Sequence, residues 1–144
     1  MKDMTGHAIK GITPPQAWDI LQSDPDATLF DVRTSMEYEY VGHPANAINI
    51  PWKEPPGWAV NPQFVDKVRA TLAARPGGKD IESMPVLTIC RSGKRSLAAA
   101  EELVLQGFKN VYNVDEGFEG DLDGKKHRNT INGWRHRNLP WEQS

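Results

Sequence analysis

Apolar residues in this chain fall into short β-branched runs separated by longer stretches of helical period, the alternation of an α/β sheet protein. Ala27 to Val32, Ala47 to Ile50, Val86-Leu-Thr-Ile89 and Val111-Tyr-Asn-Val114 read as strands. Before the first of them, Thr13 is placed to cap a helix. Pro14 suits its first position, Gln16 completes a capping-box spacing, and Ala17, Trp18 and Leu21 supply the apolar stripe. Ser23-Asp-Pro-Asp26 ends that helix. Glu37, Tyr38 and Tyr40 belong to a short helical turn or bend after the Ala27–Val32 strand. Phe64, Val65, Val68 and Leu72 make a second stripe reaching about Ala74, followed by a turn-rich linker, Arg75-Pro-Gly-Gly-Lys-Asp80. Leu97 to Leu105 is a third helix, with Ser96 as its cap and Gly107 as its stop. The pattern predicts a single α/β domain over 1–144: a mostly parallel sheet of four or five strands with helices on both faces.

Composition narrows the field. A chain of 144 residues with 38% hydrophobic and 25% charged residues is that of an ordinary globular domain. A net charge of −2 gives no sign of a nucleic-acid or membrane partner. No stretch approaches the ~20 apolar residues of a membrane span. Met1 to His7 lacks the apolar core of a signal peptide, so a cytoplasmic home is the expectation. The single cysteine excludes an internal disulfide and an internal resolving thiol. Any sulfur or oxidised state it acquires must leave to an external nucleophile.

That cysteine, Cys90, stands at the carboxyl end of the Val86–Ile89 strand, where open α/β sheets bind their ligands. Arg91, Ser92, Gly93, Lys94, Arg95 and Ser96 then lead into a helix. Three cations and a helix amino terminus favour the thiolate form of a cysteine. The same donors suit a persulfide or the oxyanions of a substrate, and Gly93 fits a tight turn that brings N–H groups near sulfur. A lone cysteine is often only a small buried hydrophobe, but three cations within five residues make little sense around an inert thiol. Spacing separates two chemistries. Cysteine phosphatases need an arginine six positions after the cysteine, whereas here that position is Ser96 and Arg95 falls one residue short. The shorter loop argues for a smaller reacting centre, such as one sulfur atom.

Cys90-Arg-Ser-Gly-Lys-Arg-Ser96 resembles the active-site loop of rhodanese domains, which are sulfurtransferases. Two further blocks are similar to that family: Asp31-Val-Arg33 through Glu37-Tyr, Gly42-His43 and Ala47-Ile-Asn-Ile-Pro51, then Gly133-Trp134 with Leu139-Pro140. In family order, the blocks span a core of about 10–141. The resemblance implies a rhodanese-like fold with Cys90 as the catalytic nucleophile. It also implies that Arg91, Ser92, Gly93, Lys94, Arg95 and Ser96 bind substrate, without metal or cofactor. Asp31, Arg33 and His43 would be structural supports, the Asp-x-Arg element bracing neighbouring loops through carboxylates or carbonyls. Placed on alternating sides of a strand, Asp31 and Arg33 are not expected simply to pair with each other. For His43, a turn-holding role is preferred over that of a base for Cys90.

The chain departs from the family in two places. Pro44-Ala45-Asn46 replaces Ile-Pro-Gly after the histidine, with Asn46 able to take a left-handed turn. An insert at about 119–132, carrying Lys125, Lys126, His127 and Arg128, should hang over the active-site rim. Its cations suit either an anion or a partner, or are simply solvated. Asp121-x-Asp123-Gly reads as a polar turn sooner than a calcium loop. Trp52 and Trp58, in a loop leaving a strand, either line the pocket or pack beneath the loop. Trp134 and Trp141 should pack the carboxyl-terminal tail to the domain.

By this resemblance a small anionic sulfur donor such as thiosulfate passes its outer sulfur to Cys90. Cyanide, a thiol or a protein cysteine then takes it. One alternative is a partner-fed persulfide carrier with little activity on free thiosulfate. The other is a phosphatase or arsenate reductase, disfavoured by Ser96.

Overall fold

The computed structural model describes residues 9–76 and 80–143. The Met1–His7 reading and the middle of the Arg75–Asp80 linker lie outside the described residues. Five strands form one wholly parallel sheet: β1 (Ile9–Ile12), β2 (Thr28–Asp31), β4 (Ile48–Asn49), β5 (Val86–Ile89) and β6 (Val111–Val114), in the order β1-β6-β5-β2-β4. β3 (His43–Pro44) pairs antiparallel with β7 (Trp141–Glu142) in a separate two-stranded ladder. Every residue of β2 and β5 is buried, as expected of strands covered on both faces. Of the five, β1 was not among the expected strands. Ile-Lys-Gly-Ile pairs along one side only, and its middle two residues are exposed, so it carries neither a continuous apolar run nor an alternation.

Helices cover both faces. On one lies α1 (Pro14–Ser23), whose capping box forms as predicted. Thr13 Oγ1 accepts from the Gln16 amide at 3.4 Å, and Gln16 Oε1 accepts from the Thr13 amide at 2.9 Å. Ala17 of α1 shares a core with Leu29, Leu87, Ile89, Val114, Phe118 and Trp134. The other face carries α2 (Phe64–Ala73) and α3 (Lys94–Leu105), which pack Phe64, Val68, Leu72, Ala99 and Leu103 against Phe30, Val32 and Val86.

The start of α3 corrects the expected cap. Ser96 lies buried within the first turn, and the residue before the helix is Gly93 at φ 101°. A Cβ there would sit 2.1 Å from the Asp115 carbonyl oxygen, so both backbone conformation and space require glycine. Gly107 does stop the helix. At φ 107° it donates to the Val104 carbonyl while Phe108 donates to that of Leu103, both at 3.1 Å, as in a Schellman motif.

Trp134 is fully buried, crosses Trp18 edge-on at 6.0 Å and donates from Nε1 to the Pro140 carbonyl at 2.8 Å. Trp141 meets Phe118 edge-on at 5.9 Å. The tail is thereby fastened to the α1 face of the sheet. Among the described residues no helix is long and apolar enough to cross a membrane.

Candidate active site

Cys90 leaves the carboxyl end of the central strand β5 and is 1% exposed. Its Sγ accepts a hydrogen bond from the Gly93 amide at 3.2 Å. The segment after β6 holds the loop from outside. Phe118 donates to the Cys90 carbonyl at 2.8 Å, and Glu119 and Gly120 donate to that of Arg91 at 3.0 and 3.1 Å. Asn113 Nδ2 donates to the Gly93 carbonyl at 3.2 Å. Gly117 permits this approach, since a Cβ there would lie 2.5 Å from the Arg91 carbonyl carbon. With these carbonyls occupied by neighbours, the Gly93 N–H remains turned onto sulfur. Ser96 is buried at the same loop; its carbonyl accepts from Thr88 Oγ1 at 3.1 Å, but its own Oγ has no partner among the described residues. A buried, unpartnered hydroxyl is uncommon and calls for an explanation.

The three cations of the loop are not equivalent. Arg91 is exposed and lines an open cavity of about 540 Å³ together with Thr34, Met36, Glu37, Pro55, Trp58 and Arg95. Lys94 is exposed and does not line it. Arg95 is engaged: Nη1 and Nη2 donate to the two carboxylate oxygens of Glu37 at 2.8 and 3.0 Å. Thr34 adds its amide and hydroxyl to Glu37 Oε1 at 3.2 and 3.0 Å. Burial alone would raise the Glu37 pKa, but the Arg95 and Thr34 bonds outweigh it and hold the carboxyl at about 2. The hydrogen bonds that Arg95 donates to Glu37 in turn raise its own pKa. A ring of three free cations around the sulfur is therefore not what forms. Among the described residues, Arg91 has no ion-pair partner at the mouth, Arg95 is neutralised by Glu37, and Lys94 stands outside.

Glu37 is the site residue that sequence reasoning missed. It sits at the start of a π-helical turn, Glu37–Val41, after β2. The available signal was topological: an acid shortly after the strand beside β5 emerges at the same end of a parallel sheet as the Cys90 loop. The two tryptophans divide between the readings left open. Trp58 lines the mouth and is 50% exposed, while Trp52 is buried edge-on against Phe64 at 5.2 Å.

Asp31 and Arg33 do pair, contrary to expectation. Arg33 Nε and Nη2 donate to the Asp31 carboxylate at 2.9 and 2.6 Å, with both side chains fully buried. Residues two apart on an extended chain share a face, so their spacing favours this contact. Arg33 Nη2 also donates to the Gly42 carbonyl at 2.6 Å, and the guanidinium lies 4.7 Å from the Phe118 ring. His43 is stacked on Tyr38 at 3.7 Å, with Nδ1 2.9 Å from the Tyr38 carbonyl and Nε2 3.4 Å from Glu142. These contacts hold the β3 ladder. Asn46 takes φ 67°, keeping the turn that follows.

The insert begins on the Arg91 carbonyl and closes back on itself, with the Asn129 amide donating to Glu119 at 2.8 Å. Asp123 is the organiser of a polar turn. Its Oδ1 accepts from the Lys125 and His127 amides at 2.8 and 2.9 Å, and its Oδ2 from Thr130 at 2.7 Å. Arg128 is spent on the Gly120 carbonyl at 2.7 Å. Among the described residues no acidic, histidine or cysteine cluster could hold a metal ion.

The sequence of residues 13–122, which includes this strand-to-helix loop, matches the family model of the Rhodanese-like domain. The chain belongs to the rhodanese-like domain family. Thiosulfate sulfurtransferase GlpE of Actinobacillus pleuropneumoniae is 37% identical over 109 residues, covering 76% of this chain and 82% of that protein. The Rickettsia conorii protein RC0915 is 33% identical over 137 residues, 94% of this chain and 98% of its own. Among solved structures, Rv0390 from M. tuberculosis superposes with a TM-score of 0.78 at 37% identity, covering 94% of this chain and 98% of that one. These last two relatives each match 94% of this chain, more than the family model spans.

Proposed function

We propose that this rhodanese-like chain moves a sulfane sulfur from thiosulfate or a related donor to a thiophilic acceptor through a persulfide on Cys90. The observation that carries this reading is the pairing of Cys90 Sγ with the Gly93 amide at the carboxyl end of the central strand. Such a donor stabilises negative charge on sulfur before and after transfer. In the first step the Cys90 thiolate attacks the outer sulfur of thiosulfate. The S–S bond of the donor breaks, sulfite leaves with the electron pair, and Cys90 holds the persulfide anion. In the second, cyanide, a thiolate or a protein cysteine attacks the terminal sulfur and Cys90 thiolate is restored.

Intact mass after incubation with thiosulfate tests this directly. A gain of one sulfur, erased by cyanide and absent from Cys90→Ser, is expected. No gain from thiosulfate but a gain from a persulfide-bearing protein would replace the donor with a partner enzyme and make the chain a carrier. An inert thiol under both conditions would refute the covalent mechanism.

A further inference from the structure

The Cys90 loop meets sulfur through a residue that cannot hold its own orientation. Gly93 has no side chain, and a glycine at φ 101° turns more readily than any other residue. What fixes it lies across the sheet. Asn113, on β6, is 1% exposed and stands in register with Thr88 of β5. Asparagine is depleted in strands, and a buried amide is costly unless its groups are bonded. Here they are bonded. Nδ2 donates to the Gly93 carbonyl at 3.2 Å and to Asp115 Oδ1 at 2.9 Å, while Oδ1 faces the Thr88 hydroxyl at 3.2 Å. A carbonyl and a carboxylate only accept, so each Nδ2 proton has its own acceptor and the carboxamide has one orientation.

Asp115 anchors that side chain from the edge strand. Its amide donates to the Ile12 carbonyl of β1 at 3.1 Å. Its carboxylate occupies the space that Gly11 leaves, where a Cβ would lie 2.1 Å from Oδ2. Its carbonyl in turn closes on Gly93. A continuous tie therefore runs from β1 through Asp115 and Asn113 to Gly93, whose amide faces Cys90 Sγ at 3.2 Å.

Building on the sulfur-transfer reading of Cys90, we infer that Asn113 is a positioning residue for discharge of the persulfide, holding Gly93 so that its amide meets the charge returning to Sγ. Asn113 itself touches neither sulfur nor substrate. In discharge the acceptor forms a bond to the terminal sulfur, the S–S bond to Cys90 breaks, and its electron pair stays on Sγ. A donor already aimed there stabilises that charge without rearranging. In loading the flow is opposite, because Sγ is the attacking atom and gives up charge. Losing the aimed amide therefore slows discharge, where Cys90 is the leaving group, more than loading.

Single-turnover reactions followed by intact mass give the two rates separately, as gain of one sulfur from thiosulfate and its loss to cyanide. In Asn113→Ala, discharge should slow about tenfold and loading by less than about threefold. Asp115→Ala, at an exposed position, removes only the anchor and should slow discharge about threefold. Leu72→Ala is the control, a core truncation whose carbonyl meets Arg75, which reaches Thr28 at the start of β2. Its ratio of the two rates should stay within about twofold of wild type, since a fold merely loosened changes both together. A wild-type ratio in Asn113→Ala, or in Asp115→Ala should the first variant not fold, would overturn the inference and leave sulfur transfer standing. So would a Leu72→Ala ratio that moves as far as that of Asn113→Ala. If the wild type takes up no sulfur from thiosulfate or from a persulfide-bearing protein, the reading of Cys90 fails and this inference fails with it.

Discussion

Replacing Glu37 by glutamine removes one charge from the mouth of the site and keeps the shape of the side chain. Glu37 and Arg95 are 22% and 23% exposed, joined by two hydrogen bonds at 2.8 and 3.0 Å. A carboxyl brought from 4.5 to about 2 corresponds to about 3 kcal/mol of preference for its ionised form in the folded protein. Exposed ion pairs contribute only about 0.2–1 kcal/mol, and this pair retains some solvent, so the expected loss in Glu37→Gln at neutral pH is about 1–3 kcal/mol. Because the folded pKa is depressed, that increment is complete above the unfolded value of 4.5 and is lost as pH falls through about 2. Urea denaturation of both proteins, at neutral pH and at several points below 4.5, should therefore show a gap that closes with acidification. The variant also frees the Arg95 guanidinium, so the KM for thiosulfate should fall. A stability gap that is absent at neutral pH, or that stays constant down to about pH 2, would refute the argument that this ion pair is what holds the carboxyl down.

Two substitutions test the scaffold. Gly93→Ala places a Cβ 2.1 Å from the Asp115 carbonyl oxygen at φ 101°. It should cost about 2–4 kcal/mol and abolish the sulfur mass gain; a wild-type melting temperature would show that the loop relaxes freely. Arg33→Met strands the buried Asp31 carboxylate and should cost about 3–5 kcal/mol by urea denaturation, whereas the double variant Asp31→Asn/Arg33→Met should recover part of the loss. Strictly additive effects would mean that the two groups do not depend on each other.

The relation between the loop and the rest of the chain shows how far local signals reach. Cys90 at a strand end, Gly93 at the turn and the shortened spacing to Arg95 lie within seven residues, and a parallel sheet places any such turn at its ligand-binding edge. Thr13 and Gln16 likewise announce their capping box because the bonds run between residues three apart. The end of α3 was equally legible, since Gly107 acts on carbonyls of its own helix. Its beginning was not: Gly93 and Ser96 are both reasonable caps, and contact with Asp115 from β6's far end decides between them.

What the sequence by itself determined is the alternation of strand and helix, the family, and the placing of Cys90 where β5 meets α3. Each rests on periodicity or short-range hydrogen bonding, which act over a few residues. Only the tertiary structure decided the charge of the site. Arg95 and Glu37 are 58 positions apart, and only the side-by-side pairing of β2 with β5 brings their loops together. It also decided that Trp58 faces the mouth while Trp52 enters the core, and that Ile9–Ile12 joins the sheet at all. An ion pair, a cavity wall and an edge strand are each completed by a partner distant along the chain. Nothing in the local run of residues names that partner.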